Sequence, residues 1–360
     1  MSITAALHDL GQSLWLDNIT REILDNGTLR RYLADLSVTG LTSNPTIFDE
    51  AIGKTQAYDA AIREKAAAGL GGEDLFAEIA LQDLRRAADL FRPVFDATAG
   101  VDGWVSMEVS PLLADDARAT IAAARRIHGE AQRPNLFVKI PGTQAGLAAI
   151  EESIFAGIPV NVTLLFSREQ YLAAAEAFMR GIERRLAAGL DARVASVASL
   201  FISRWDRAVA GKVPPPLHNA LGIAIARRSY RAYRALQASK RWRDLAAAGA
   251  QLQRMLWAST GVKDPQARPG LYVEALAAPA TINTMPEKTL LAFAAGGVLA
   301  GVMAEDGGDA EEILVQFARQ GIDVDALAVK LQRDGAQAFV DSWRELMRRI
   351  AEKSAALARR

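Results

Sequence analysis

The chain has 360 residues, and half are hydrophobic, enough for one large α/β barrel or for two or three smaller domains. Its 42 basic residues are balanced by 42 acidic ones, so the basic excess that marks a general nucleic-acid binder is missing. A small anionic substrate needs only a local cluster of donors and stays open.

There is no cysteine, which excludes disulfides, thiolate nucleophiles and Cys-ligated zinc. The histidines, His8, His128 and His218, lie far apart in sequence. A histidine-rich metal site is therefore not expected, although carboxylates remain available for a hard cation. The opening segment MSITAALHDLGQSLWLDN lacks a basic stretch followed by a long apolar core, so a secretory signal is not expected and the expected compartment is the cytoplasm. The longest apolar run, Leu290–Ala304, is shorter than the ~20 residues needed to span a bilayer. It also contains three glycines, and it reads as buried helix and turn.

In chain order, β-prone segments occur at 13–18 (SLWLDN), 37–43 (SVTGLTS), 104–110 (WVSMEVS), 136–141 (LFVKIP), 159–165 (PVNVTLL), 196–202 (SVASLFI), 254–260 (RMLWAST) and 279–285 (PATINTM). Helical patterns fall between them, at 74–92, 114–130, 145–155, 168–187 and 217–253, with a last one at 327–357. Strands alternating with helices predict a parallel sheet. Eight of them favour a closed (β/α)₈ barrel over the rival doubly wound open sheet. The long connections 44–103 and 203–253 are each expected to hold an extra helix. No linker-like stretch divides the chain, which reads as one barrel domain over 1–360, with 305–360 a helical extension that packs either across the barrel or along its side.

Residues two apart on a strand share a face, and the active sites of such barrels sit at the C-terminal strand ends. The polar residues near those ends agree in parity. Asp17 shares a face with Trp15, Glu108 with Ser106, Lys139 with Phe137, Thr163 with Asn161, and Phe201 with Ser199; Asn44 follows on the face of Thr42, and Thr281 and Asn283 are the pair on the eighth strand. One mouth would collect a lysine, two carboxylates and several neutral hydrogen-bonding groups. Desolvation favours the neutral amine of a lysine, the form that attacks a carbonyl, and a carboxylate beside it supplies acid–base chemistry. The plainer reading of Lys139 is a structural ion pair with Glu108 or Asp17, and it is favoured for any residue taken singly. Asn44 opens an Asn-Pro turn, Asn161 and Thr163 have the chemistry of loop caps, and Phe201 taken singly reads as core rather than ligand platform. Convergence of the set is what points to catalysis. Phosphate ligands are sought at Ser199 and Arg204 in SLFISR, and at Ser259 and Lys263 in WASTGVK, because hydroxyls, backbone N–H groups and a cation are what a phosphate requires. Neither GxxxxGK[ST] nor GxGxxG after a strand occurs, so no nucleotide cofactor is expected.

WLDNIT (15–20), GLTSNPTIF (40–48), SMEVSP (106–111), LFVKIPGT (136–143), IPVNVTLLFS (158–167) and SLFISRWD (199–206) resemble transaldolases. WASTGVKDP (257–265) and TINTMPEKTL (281–290) resemble a bacterial subgroup that also occurs fused to phosphoglucose isomerase. The resemblance runs from about residue 10 to about residue 300. It implies a cofactor-free, metal-free class I aldolase mechanism on sugar phosphates, with Lys139 as the Schiff-base lysine and Asp17 as the base for the C4 hydroxyl. It further implies Glu108 and Thr163 as the pair that handles water and protons, and Asn44 and Asn161 as holders of the dihydroxyacetone hydroxyls. Ser199, Phe201, Arg204 and Ser259 fall on the rest of the substrate site. Many transaldolases carry arginine where Gly261 stands, and Lys263 is the nearest cation. The rival functions are a fructose-6-phosphate aldolase, a catalytically silent sugar-phosphate-binding barrel and a structural role. Neither a nucleic-acid nor a membrane partner is expected, and the chain is expected as a monomer or homodimer.

Overall fold

A computed structural model describes residues 2–358. Eight parallel strands, β1 (Gln12–Asp17), β2 (Val38–Thr42), β3 (Val105–Glu108), β4 (Leu136–Pro141), β5 (Val160–Leu165), β6 (Ser196–Phe201), β7 (Arg254–Ala258) and β8 (Thr281–Met285), are ordered β2-β1-β8-β7-β6-β5-β4-β3. Backbone bonds from Gly103 N–H to Thr39 O and from Leu41 N–H to Trp104 O, both 2.9 Å, bring β2 against the segment entering β3 and close the ring. The fold is thus a (β/α)₈ barrel, and the open sheet is ruled out. Each predicted strand lies within two residues of an observed one.

The lower barrel is filled by aromatic side chains. Trp104 stacks on Phe137 at 4.0 Å between ring centroids, and Trp15 lies 6.2 Å from Phe137. Gly40 makes room for this plug: a Cβ there would lie 2.7 Å from the Trp15 ring. Phe137 and Lys139 share a face, so the lysine rests directly on apolar surface.

The connections are more broken than the helical patterns suggest. Between β2 and β3 stand three helices, Pro45–Lys54, Asp59–Ala67 and Gly72–Ala97, where one extra was expected. The run 217–253 is two helices, Leu221–Gln237 and Lys240–Ala247, because the Ser239 hydroxyl caps the second by accepting from Trp242 N–H at 3.2 Å. The apolar run Leu290–Ala304 is only partly buried. Leu290 and Phe293 are in the core, but Leu291, Val298 and Val302 are about half exposed, since the glycines end the helix at Gly296 and the chain continues as irregular loop. No helix among the described residues is long and apolar enough to cross a membrane.

After β6 the short helix Ser203–Val209 carries Arg204 and is tied to helix Leu221–Gln237 by Asp206, whose carboxylate accepts from Leu221 N–H (2.9 Å), Gly222 N–H (3.2 Å) and Tyr272 O–H (2.8 Å). Burial pushes this carboxyl up to about 6 despite those donors. The folded state therefore holds the proton more tightly than the unfolded chain, and stability drains away as pH rises from the ordinary Asp range to about 6. Asp206→Ala leaves three buried donors without an acceptor. It is expected to cost about 2–4 kcal/mol, since each orphaned group costs roughly 1–3 and the effects overlap. Thermal melting across pH 4–8 checks this: the variant should melt lower and lack this group's loss of stability on the acid side of neutrality. An unchanged melting temperature would show that Asp206 does not anchor the Arg204 segment.

The C-terminal helix Val324–Ala358 lies across the barrel mouth, which decides between the two placements open from sequence. Its Gln332 side chain donates to the carbonyls of Gly142 and Leu164 (both 3.0 Å) beyond β4 and within β5. Ser342 meets the Thr46 hydroxyl at 2.9 Å, and Arg349 pairs with Asp49 at 2.6 Å on the opposite rim.

Candidate active site

A cavity of about 620 Å³ opens at the C-terminal strand ends beneath this helix. Of the sequence candidates, Asp17, Asn44, Lys139, Thr163 and Ser199 line it, and so do Phe201, Arg204, Ser259 and Lys263 farther along. Glu108 and Asn161 sit at its floor on either side of Lys139, for β3, β4 and β5 pair Glu108 with Lys139 and Lys139 with Asn161.

Lys139 is buried; its Nζ donates to the Ser43 carbonyl at 2.9 Å and lies 3.6 Å from Glu108 Oε2. Both Glu108 oxygens and the Thr163 hydroxyl are buried with no hydrogen-bond partner among the described residues. A purely structural ion pair would close at hydrogen-bonding distance and use both carboxylate oxygens; this one does neither. Burial raises the Glu108 carboxyl, against the opposing pull of Lys139. Asp17 is also raised by burial, and Lys139 and the bond from Thr42 pull it back. Thr42 Oγ1 donates to Asp17 Oδ1 at 2.7 Å and is itself 2.7 Å from Thr284 Oγ1. A hydroxyl has one proton to give, so with Asp17 ionised Thr284 donates to Thr42.

The neutral candidates divide between holding the site and facing it. Asn44 Oδ1 accepts from Ile47 N–H at 3.1 Å and so caps helix Pro45–Lys54, while its Nδ2 side has no acceptor among the described residues. The Asn-Pro turn and the site are thus the same device. Asn161 is oriented by Ser199, whose hydroxyl donates to its Oδ1 at 2.7 Å, and by its own 3.2 Å bond to Ser106. Ser259 has a left-handed backbone (φ 56°), uncommon for a residue with a Cβ, and its hydroxyl is 2.9 Å from that of Ser203.

The far end of the cavity is cationic. The Arg204 guanidinium lies 5.0 Å from the Phe201 ring centroid and 5.7 Å from that of Phe339, and no carboxylate or hydrogen-bond acceptor among the described residues engages it. Lys263 reaches over Gly261: its Nζ is 3.8 Å from where a Cβ on Gly261 would stand. Among the described residues no group of three His, Asp or Glu side chains converges as metal ligands would.

The sequence reading of β8 was one residue out of phase. Thr284, paired with Trp15, faces inward and lines the cavity, whereas Asn283, paired with Trp257, turns to the helical layer and takes a bond from Thr260 at 3.0 Å. Ser43 and Phe339 also went unseen. The first acts through its backbone carbonyl, and the second comes from a helix whose path no local pattern reveals.

A family described as transaldolase/fructose-6-phosphate aldolase matches residues 14–350. The chain belongs to this family. Curated relatives named transaldolase include one from Parafrankia sp. (strain EAN1pec), 45% identical over 95% of this chain and 95% of its own. Another, from Thermobifida fusca, is 44% identical over 97% of this chain and 98% of its own. The Arthrobacter sp. (strain FB24) relative is 44% identical over 96% and 95%. Family membership makes the chain an enzyme of the transaldolase type, and the silent-barrel and structural readings fall away. The family also spans the aldolase reading, which has to be separated by chemistry.

Proposed function

We propose that the enzyme transfers a dihydroxyacetone unit from fructose 6-phosphate or sedoheptulose 7-phosphate to an aldose phosphate through an imine on Lys139, in the non-oxidative pentose phosphate pathway. The observation that carries this is a buried amine beside a carboxyl at the floor of a cavity whose other end is a guanidinium, the carboxyl without a hydrogen bond and the guanidinium without an ion pair among the described residues. Lys139 attacks C2 of the ketose, and Glu108 and Thr163 pass the protons that let water leave. Asp17 takes the C4 hydroxyl proton, the C3–C4 bond breaks, and its electrons move towards the iminium nitrogen to leave an enamine. Glyceraldehyde 3-phosphate departs from the Arg204 end. Erythrose 4-phosphate enters, the enamine carbon attacks its C1, Asp17 returns the proton to the new hydroxyl, and hydrolysis of the imine frees sedoheptulose 7-phosphate. Asn44 and Asn161 hold the hydroxyls of the three-carbon unit, while Ser199, Phe201 and Ser259 shape the path to the phosphate. The reading requires no cofactor or metal and places the enzyme in the cytoplasm as a monomer or homodimer.

The deciding experiment follows glyceraldehyde 3-phosphate release from fructose 6-phosphate with and without erythrose 4-phosphate. Sustained release only with the acceptor is expected. Equal release without it would make the enzyme an aldolase whose enamine is protonated by solvent.

Lys263 is assigned as the second phosphate cation, reaching into the space that the absent side chain of Gly261 leaves. Lys263→Ala is expected to raise KM for fructose 6-phosphate about tenfold, an exposed ammonium on a phosphate being worth roughly 1–2 kcal/mol, with kcat little changed. Steady-state kinetics checks this, and an unaltered KM removes Lys263 from the site.

A further inference from the structure

The C-terminal helix carries a glycine, Gly335, about a third of the way along its 35 residues and well inside it. A glycine there costs roughly 0.5–1 kcal/mol relative to alanine, so its presence asks for a reason. The space beside it supplies one. A Cβ on Gly335 would lie 2.8 Å from Arg204 Nη1 and 3.1 Å from Leu164 Cδ2. One helical turn onward, Phe339 packs beside Phe201, the two rings 6.5 Å apart between centroids and inclined at 60°, so that together they form a corner against which Arg204 lies. Gln332, Gly335 and Phe339 recur at the spacing of one helix face. Gln332 pins that face to the Gly142 and Leu164 carbonyls, beside the strand ends that carry Lys139 and Thr163.

Arg204 has neither an ion pair nor a hydrogen bond with the described residues, so packing alone aims it. We infer that Gly335 and Phe339 are positioning residues for Arg204: the C-terminal helix sets Phe339 beside Phe201 to form the aromatic corner on which the guanidinium rests, leaves the gap at the glycine that its tip occupies, and so sets the enzyme's preference for phosphorylated over unphosphorylated sugars. This rests on the reading of Arg204 as a phosphate contact. The arrangement suits an arginine, whose cation is attracted to aromatic rings while donors that meet no acceptor stay free for an anion.

Gly335→Ala tests it. The nearest atom to the new methyl is the tip of a flexible side chain, which takes most of the movement, while the Leu164 methyl at 3.1 Å has to give only slightly; alanine is the better helix former and offsets that strain, so the melting temperature should change little. KM for fructose 6-phosphate is expected to rise about 10- to 100-fold, the penalty of a misplaced binding group. Both kcat, and kcat/KM for unphosphorylated fructose at high concentration, should stay within about twofold, since no reacting group moves. Phe339→Leu should act the same way more weakly. On an Arg204→Ala background neither change should add to the loss, because they act through that one side chain. An unchanged KM, an equal loss with fructose, or full additivity with Arg204→Ala overturns the inference. If Arg204→Ala alone leaves KM for fructose 6-phosphate intact, the phosphate reading itself fails and takes this inference with it; a normal loss in Arg204→Ala beside an unaffected Gly335→Ala overturns the helix role alone.

Discussion

Lys139→Met is expected to lower turnover by about 10⁴-fold or more, the scale on which covalent catalysis fails when its nucleophile is removed. It should also abolish borohydride trapping of fructose 6-phosphate on the protein. Methionine keeps most of the stem that rests on Phe137, so the cavity should survive. Glu108 then loses the only cation within 4 Å among the described residues, and its carboxyl, already raised by burial, moves further towards the neutral form instead of standing as an uncompensated charge. The folded state should therefore persist, and circular dichroism and melting separate loss of chemistry from loss of structure. Intact-mass spectrometry after borohydride, with peptide mapping of the trapped lysine, gives the result directly. Trapping that persists in Lys139→Met would move the imine to another lysine and dismantle the assignments built around this one.

The legible part of this site is the part that strand geometry encodes. On β3, β4 and β5 the period of two runs without interruption through Glu108, Lys139 and Asn161, and the parallel ladder then places the three side by side. The phase fails where a strand gives no strong in-out contrast. In TINTM every second residue is polar on one count and apolar on the other only in part, so Thr281 and Asn283 were as good a pair as Ile282 and Thr284. Only the pairing of Thr284 with Trp15 breaks the tie. A third class of residue leaves no local trace. The Ser43 carbonyl that receives the Lys139 ammonium is backbone, and Phe339 and Gly335 sit in an amphipathic helix whose pattern shows that one face is covered but not what it covers. The irregularity between Val162 and Leu165 on β5 belongs here too: Leu164 turns to a left-handed φ of 60°, and its carbonyl becomes free to receive Gln332.

Asp17 should separate from Lys139 by step. With Asp17→Ala, imine formation is expected to continue, because the amine, Glu108 and Thr163 are untouched, while turnover falls by about 10²–10⁴-fold for want of the base that accepts the C4 hydroxyl proton. Borohydride should still trap fructose 6-phosphate on Lys139 in this variant, and the trapped species should retain all six carbons of the donor. The pH dependence follows from the same burial. In the proposed mechanism cleavage needs Asp17 ionised, and burial raises its carboxyl, so the base is protonated at a higher pH than an exposed aspartate would be. The rate of carbon–carbon cleavage should therefore fall on the acid side while still above the ordinary carboxylate range. Glu108, raised for the same reason, governs the earlier step in the proposed mechanism. Rapid-quench measurements across pH should show an acid limb on imine formation in both proteins and a second limb, on cleavage, only in the parent. Near-normal turnover in Asp17→Ala, or a cleavage limb that survives the substitution, would transfer the role of base to Glu108 and leave Asp17 as a group that only holds Thr42 and Thr284 in register.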